Sequence, residues 1–404
     1  VSICLDVSER RKTNWRMPVL TTVRPRSEGD FWLSRTGGVS PAMLFDPVRV
    51  RTTWQALSSA LPGVTLYYAV KSNPHSTLVA TLANEGACFD VASAPEIQAL
   101  LPYGVSASRM IHTHPIKTEA DLEASTHLGV STFVVDNLDE LWKIAPYRHQ
   151  ITVMLRLAFV APDAPIDLSR KFGAQPEDAL HILEMAQQMG ITVDGLCFHV
   201  GSQAQSADTH KVALLKCLEI AKEAEARDIA TIERIDIVGG FPANYDHRPV
   251  DFDAFCAPIR EALAEVPAHI RLMAEPGRAI SAPSMTLVAR VIGRSKRQDD
   301  TWWYYLDDGV YGAQSGRIFD HIDYPMTVFT EGEGTARAVF AGPTCDSVDR
   351  FGDTDALPEL SLGDVIVIDE IGAYSIATAC HFNGVAPPVI IDLDDQILET
   401  RQQA

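Results

Sequence analysis

Eight short apolar runs, each followed by an amphipathic stretch, recur between residues 65 and 276, and this alternation constrains the fold more than any other feature. The runs are TLYYAV (65–70), CFDVAS (88–93), RMIHTH (109–114), TFVVDN (132–137), TVMLRLA (152–158), GLCFHV (195–200), RIDIVG (234–239) and RLMAEP (271–276). They are rich in β-branched and aromatic residues and read as buried strands. The stretches between them read as helices. PEDALHILEMAQQMG (176–190) opens on Pro176 at a first helical position and stops at Gly190, and THKVALLKCLEIAKEAEARD (209–228) keeps an apolar face. Strand and helix alternating in this way over about 210 residues predict an α/β chain built on a (β/α)8 TIM barrel, with an open doubly wound sheet as the alternative.

The pattern changes near residue 281. SMTLVARVIGRS (284–295), TWWYYLDDGVYG (301–312), TARAVFAG (335–342), DVIVIDE (364–370) and PPVIID (387–392) predict an all-β domain over 281–404, after a barrel over 41–280. Residues 1–40 are poorly periodic; FWLS (31–34) is their one strand-like run, and the segment is expected to be partly disordered or to join the β-domain.

Charge and cysteine usage narrow the function. With 34 basic and 53 acidic residues the net charge is −19, which repels nucleic acid and anionic membranes and suits a cationic small molecule. Seven scattered cysteines without a C-x-x-C pair argue against a disulfide framework and a structural zinc, and point to a reducing cytoplasm. No apolar run approaches the ~20 residues of a bilayer span, and the N-terminus lacks a secretion-signal layout.

A barrel carries its chemistry at the C-terminal ends of its strands. Those ends supply Lys71, Asp90, His114, Asn137, Arg156, His199 with Ser202, Gly239 with Gly240, and Glu275 with Arg278. A lone lysine at a strand end is usually just solvated, but these types complement one another. A lysine amine forms Schiff bases. Paired glycines, a hydroxyl and a guanidinium receive a phosphate, and a glutamate holds a proton on a ring nitrogen. Together they predict pyridoxal 5'-phosphate as cofactor.

The motifs YYAVKSNP, FDVASAPEI, LSRKFGA (168–174), FHVGSQ (198–203), GGFP (239–242), AEPGRAI (274–280), DDGVYG (307–312), GPTCDSVD (342–349) and GAYSIATACHFNG (372–384) occur in one order. Over about residues 45 to 390 the chain resembles the fold-type III pyridoxal phosphate decarboxylases, most closely the ornithine decarboxylase branch. The resemblance implies a homodimer of alanine-racemase-like barrels with β-domains, its active sites shared between subunits. It implies that Lys71 carries the cofactor, His199 stacks on the ring, and Glu275 pairs with the ring nitrogen. Ser202, Gly239, Gly240, Arg278 and Tyr374 would bind the phosphate, with Asp90 and Arg156 in support. Cys345 of the other subunit would return a proton to the substrate carbon, while Asp320, Asp346, Tyr311 and Phe382 contact the substrate.

Three departures from the family pattern stand out: Val238 where another glycine is usual, Gln203 after HVGS, and a first segment without a match. The implied reaction is decarboxylation of a basic L-amino acid, ornithine or lysine. Diaminopimelate enzymes usually carry Glu at the place of Asp346, and arginine or a natural-product amino acid is a further alternative. A racemase would need a catalytic tyrosine where GPTCDSVD stands. A non-catalytic regulatory relative would have lost cofactor ligands that are all present.

Overall fold

The computed structural model describes residues 21–160, 169–246 and 248–393. They form two compact units. One contains the described residues up to Leu44 together with Thr286–Asp369 and Thr378–Ile391; the other contains Phe45–Met285, Glu370–Ala377 and the residues from Asp392.

Two strands, β1 (Thr21–Arg24) and β2 (Ala42–Phe45), precede the barrel. The barrel strands are β3 (Val64–Ala69), β4 (Cys88–Val91), β5 (Met110–His112), β6 (Thr132–Val135), β7 (Thr152–Ala158), β8 (Val193–His199), β9 (Arg234–Asp236) and β10 (Arg271–Ala274). Each predicted run is one of them. All neighbours pair in parallel, and β10 pairs with β3 as well as β9, so the sheet closes and the open-sheet alternative is excluded. Ile111, Val134, Met154, Cys197, Val238 and Met273, with Tyr67 against them, pack in one cluster. Alternate residues of a strand point to opposite sides, which leaves this set inside the barrel and the helix-facing set outside.

The later strands are β11 (Met285–Lys296), β12 (Trp302–Leu306), β13 (Met326–Phe329), β14 (Ala336–Ala341), β15 (Arg350–Leu357), β16 (Val365–Ile368) and β17 (Val389–Asp392). They build the sheet of the other unit in the order β1, β13, β16, β11, β12, β14, β15, with β2 pairing both β11 and β17. The FWLS reading is corrected. Those residues lie within the helix Arg26–Arg35, which opens after Pro25, carries Glu28 in its first turn and Arg35 in its last, and ends before Gly37 and Gly38 at positive φ. Helix-end signals outweigh the strand propensity of two aromatics. Of residues 1–40, expected to be partly disordered or to join the β-domain, 21–40 fall in the sheet unit and 1–20 lie outside the described residues.

No helix among the described residues is long and apolar enough to cross a membrane.

Candidate active site

Strand β3 ends at Ala69, so Lys71 sits in the short 3-10 turn Val70–Ser72 just beyond it, its side chain 44 % exposed. The turn aims the ammonium at the next strand, where Nζ donates to Asp90 Oδ2 at 2.5 Å. The other oxygen of Asp90 accepts from the Thr113 hydroxyl. Burial works against the lysine's charge, but Asp90 and then Glu275 outweigh it and raise its pKa. Asp90 is buried, so its carboxyl is a fixed partner for the amine.

His199 closes β8, and its Nδ1 accepts from the Gly201 N–H at 3.1 Å. Burial, and then Arg156 and Lys71, push its pKa well down, so the imidazole is neutral near pH 7. Its Nε2 lies so near the chain beyond β9 that a Cβ on Gly239 would meet it at 3.1 Å. Gly240, at φ +101, would bring a Cβ to 2.9 Å from Val200 Cγ2. Glycines here let the chain pass close against His199 and Val200, where any side chain would collide.

Arg278 is 5 % exposed. Its Nε donates to Ser202 Oγ at 3.0 Å, an NH donates to the Tyr245 hydroxyl at 3.2 Å, and the guanidinium lies 4.8 Å over the Tyr374 ring. Tyr374 is itself left-handed, φ 51, and its N–H donates to Ser72 O at 2.8 Å. Arg156, on β7, places its guanidinium 5.5 Å over Phe172, and its buried Nε has no protein acceptor among the described residues.

Glu275, just past β10, is 4 % exposed, and Oε1 has no donor among the described residues. Burial first, then Asp90 and Asp236, drive its pKa well up.

A family model described as pyridoxal-dependent decarboxylase, pyridoxal binding domain, matches residues 48–282. The chain is 35 % identical to a lysine/ornithine decarboxylase of Selenomonas ruminantium over 87 % of its own length and 90 % of the relative's. It superposes on the lysine/ornithine decarboxylase of Vibrio vulnificus complexed with cadaverine with a TM-score of 0.85 and 41 % identity, covering 91 % of this chain and 97 % of that one. The arginine decarboxylase of Paramecium bursaria Chlorella virus gives 0.84 at 29 % identity, covering 91 % and 100 %. The chain belongs to the pyridoxal-dependent decarboxylases.

The residues of this decarboxylase fit the cofactor. Arg278 with Ser202 and the side-chain-free backbone at Gly239–Gly240 suit a phosphate, the orphaned Glu275 oxygen suits a protonated ring nitrogen, and Lys71 is the one amine among the strand-end residues named above. Removing the guanidinium as Arg278→Ala leaves the phosphate without its fixed cation, and affinity for pyridoxal phosphate should fall by roughly 30-fold or more, measured by titrating the cofactor-free protein. Unchanged affinity would take Arg278 out of the phosphate site.

Other predicted residues fall in the sheet unit. The Tyr311 hydroxyl donates to Asp346 Oδ2 at 2.5 Å, and its ring stacks on Phe382 at 4.3 Å. That hydrogen bond is the first cause lowering the Asp346 pKa and raising that of Tyr311, the latter to about 12. Cys345, next to Asp346, is exposed, and its backbone N–H donates to Asn383 Oδ1 at 3.0 Å. Asp320 follows the short helix Gly316–Phe319 and is half-buried.

Two strand-end residues have structural roles. Asn137 caps the helix Leu138–Ile144 by accepting from the Glu140 N–H, and the His114 Nδ1 accepts from the Ile116 N–H.

Sequence reasoning missed His210, whose Nε2 lies 2.8 Å from Gly239 O, along with Tyr245, Thr113 and Asp236. Gln203 was noted only as a departure. It clamps Ala243 through both backbone groups, at 2.6 and 2.8 Å, and so fixes the loop that carries Tyr245.

Proposed function

We propose that the chain decarboxylates L-lysine or L-ornithine to the corresponding diamine as a homodimer, in which Cys345 and Asp346 of each subunit complete the site of the other. The observation that supports this best is the Tyr311-held Asp346 carboxylate beside the Cys345 thiol, a placed anion for a distal ammonium next to a placed acid. Relatives bearing the names lysine/ornithine decarboxylase, one of them complexed with putrescine, agree with it.

When bound, pyridoxal phosphate supplies the electron sink that takes up the charge left as carbon dioxide departs. Arg278 and Ser202 would hold its phosphate end. His199, neutral, would pack against it without adding charge. Glu275 would hold a proton on its ring nitrogen. Lys71 would be the amine that carries it, held in position by Asp90. The Cys345 thiol then delivers a proton to the substrate's α-carbon. Free thiols at all six described cysteines suit a reducing, cytoplasmic setting.

Carbon dioxide release over ornithine, lysine, arginine and diaminopimelate tests the substrate class. Lysine and ornithine should lead; preference for arginine or diaminopimelate would overturn the assignment. Asp320→Ala sharpens the test. Taking one carboxylate from a partly buried cation weakens binding by about 2–5 kcal/mol, so catalytic efficiency on both diamino acids should fall roughly 30-fold or more, with cofactor content unchanged. Wild-type kinetics would make Asp320 a bystander.

A further inference from the structure

The turn that follows β9 is built around an anomaly. Val238 adopts φ +47, a left-handed conformation that a β-branched residue enters only under strain. Its side chain is buried in the barrel's interior cluster, so the strain is not relieved by turning outward.

Two acids hold it there. Asp236 Oδ1 accepts the Val238 N–H at 2.8 Å, and the Val238 carbonyl accepts the Glu275 N–H at 2.6 Å. The next two residues, Gly239 and Gly240, are packed close against His199 and Val200, so the bend at Val238 decides where their backbone N–H groups lie.

The same two acids meet through their side chains. Met273 is in register with Asp236 across the β9 and β10 pair, and Glu275 lies two residues on, so both carboxyls belong to the barrel's inner side, and Asp236 is among the causes that raise the Glu275 pKa. Asp236 is fully buried, and neither its Oδ2 nor Glu275 Oε1 has a donor among the described residues. Two ionised carboxylates cannot satisfy one another, whereas one shared proton serves both.

We propose that Asp236 is a positioning residue with two effects: its Oδ1 fixes the Val238 bend that sets the Gly239–Gly240 backbone, and its Oδ2 shares a proton with Glu275, so that the two buried acids together present a single negative charge to the ring nitrogen. This deepens the proposed function, since it rests on Glu275 facing the ring nitrogen.

The sign of the pH dependence follows from the surroundings. The groups that act electrostatically on or with Asp236 are Tyr67 of β3, Lys71 just beyond it, Asp90 of β4, Cys197 of β8, and Glu275, with Arg156 of β7 acting on Cys197. Burial is the largest cause and raises both acids, Asp236 to about 6. A carboxyl raised on folding contributes stability that is fully present below its unfolded pKa of about 4, and that is lost as pH rises through the folded value.

The cofactor-free protein is therefore melted across about pH 4 to pH 8 as wild type and as Asp236→Asn. The amide still accepts from Val238 and donates to Glu275, but it carries no charge, so the variant's melting temperature should gain on wild type as pH rises. A parallel pair of curves would overturn the shared proton.

The bend is tested by affinity for pyridoxal phosphate. Asp236→Ala should weaken binding roughly tenfold, the scale of one strained residue left unsupported. Adding Val238→Gly, which takes the left-handed conformation freely, should restore most of that loss. Asp236→Asn should stay within about threefold of wild type, because its acceptor is kept. Failure of Val238→Gly to rescue would overturn the bend. A wild-type protein that binds no pyridoxal phosphate would instead sink the functional reading, while the melting curves still judge the acid pair.

Discussion

Replacement of Lys71 by alanine should remove covalent cofactor attachment and lower turnover by at least about 10³-fold, the scale seen when a reacting nucleophile is deleted. The amine stands in a turn that points it at buried Asp90, and among the strand-end residues it is the only group able to attack an aldehyde. Arg278, Ser202 and Tyr374 are untouched by the change, so the variant should still bind pyridoxal phosphate through its phosphate. Affinity and attachment should therefore separate. Borohydride treatment followed by mass measurement should find the cofactor fixed to wild type and absent from Lys71→Ala. Attachment that survives in the variant would move the covalent site to another lysine.

The barrel was legible because each of its strands is a compact apolar run bounded by glycine, proline or polar residues, and local pattern alone distinguishes such a run. The sheet unit was less legible. Strand β15, RFGDTDAL, has glycine and two aspartates and lacks strand propensity; it is held by its antiparallel pairing with β14, which no local pattern shows. Lys71, His199, Glu275 and Arg278 could be read because barrel chemistry collects at strand ends. Asp236 could not be, since it sits inside RIDIV, where an aspartate reads as an interruption. Its meaning comes from Glu275, just past a strand that is a neighbour only in space. His210 lies within an amphipathic helix and reads as a core histidine until Gly239 is found beside it. The valine at position 238 was visible as a missing glycine, whereas the strain it carries is visible only in the backbone.

The second large effect is expected at Cys345. Loss of a placed acid removes roughly 10²- to 10⁴-fold from a proton-transfer step, so Cys345→Ala should slow amine formation on that scale. Its cofactor content should stay at wild-type level, because no cofactor ligand is altered. The proton then has to come from solvent, and it can be delivered to the cofactor instead of to the α-carbon. Pyridoxamine phosphate should therefore accumulate in step with carbon dioxide. Amine production at the wild-type rate without pyridoxamine phosphate would make the thiol structural. The same variant also tests the shared site. If Lys71 and Cys345 act from different subunits, mixing Lys71→Ala with Cys345→Ala protein makes about half the dimers mixed, each with one intact site, and restores about a quarter of wild-type activity. Neither variant alone can reach that level. Demonstrated subunit exchange without recovery would place both residues in the same subunit, and the proposed division of the active site across the dimer would fall.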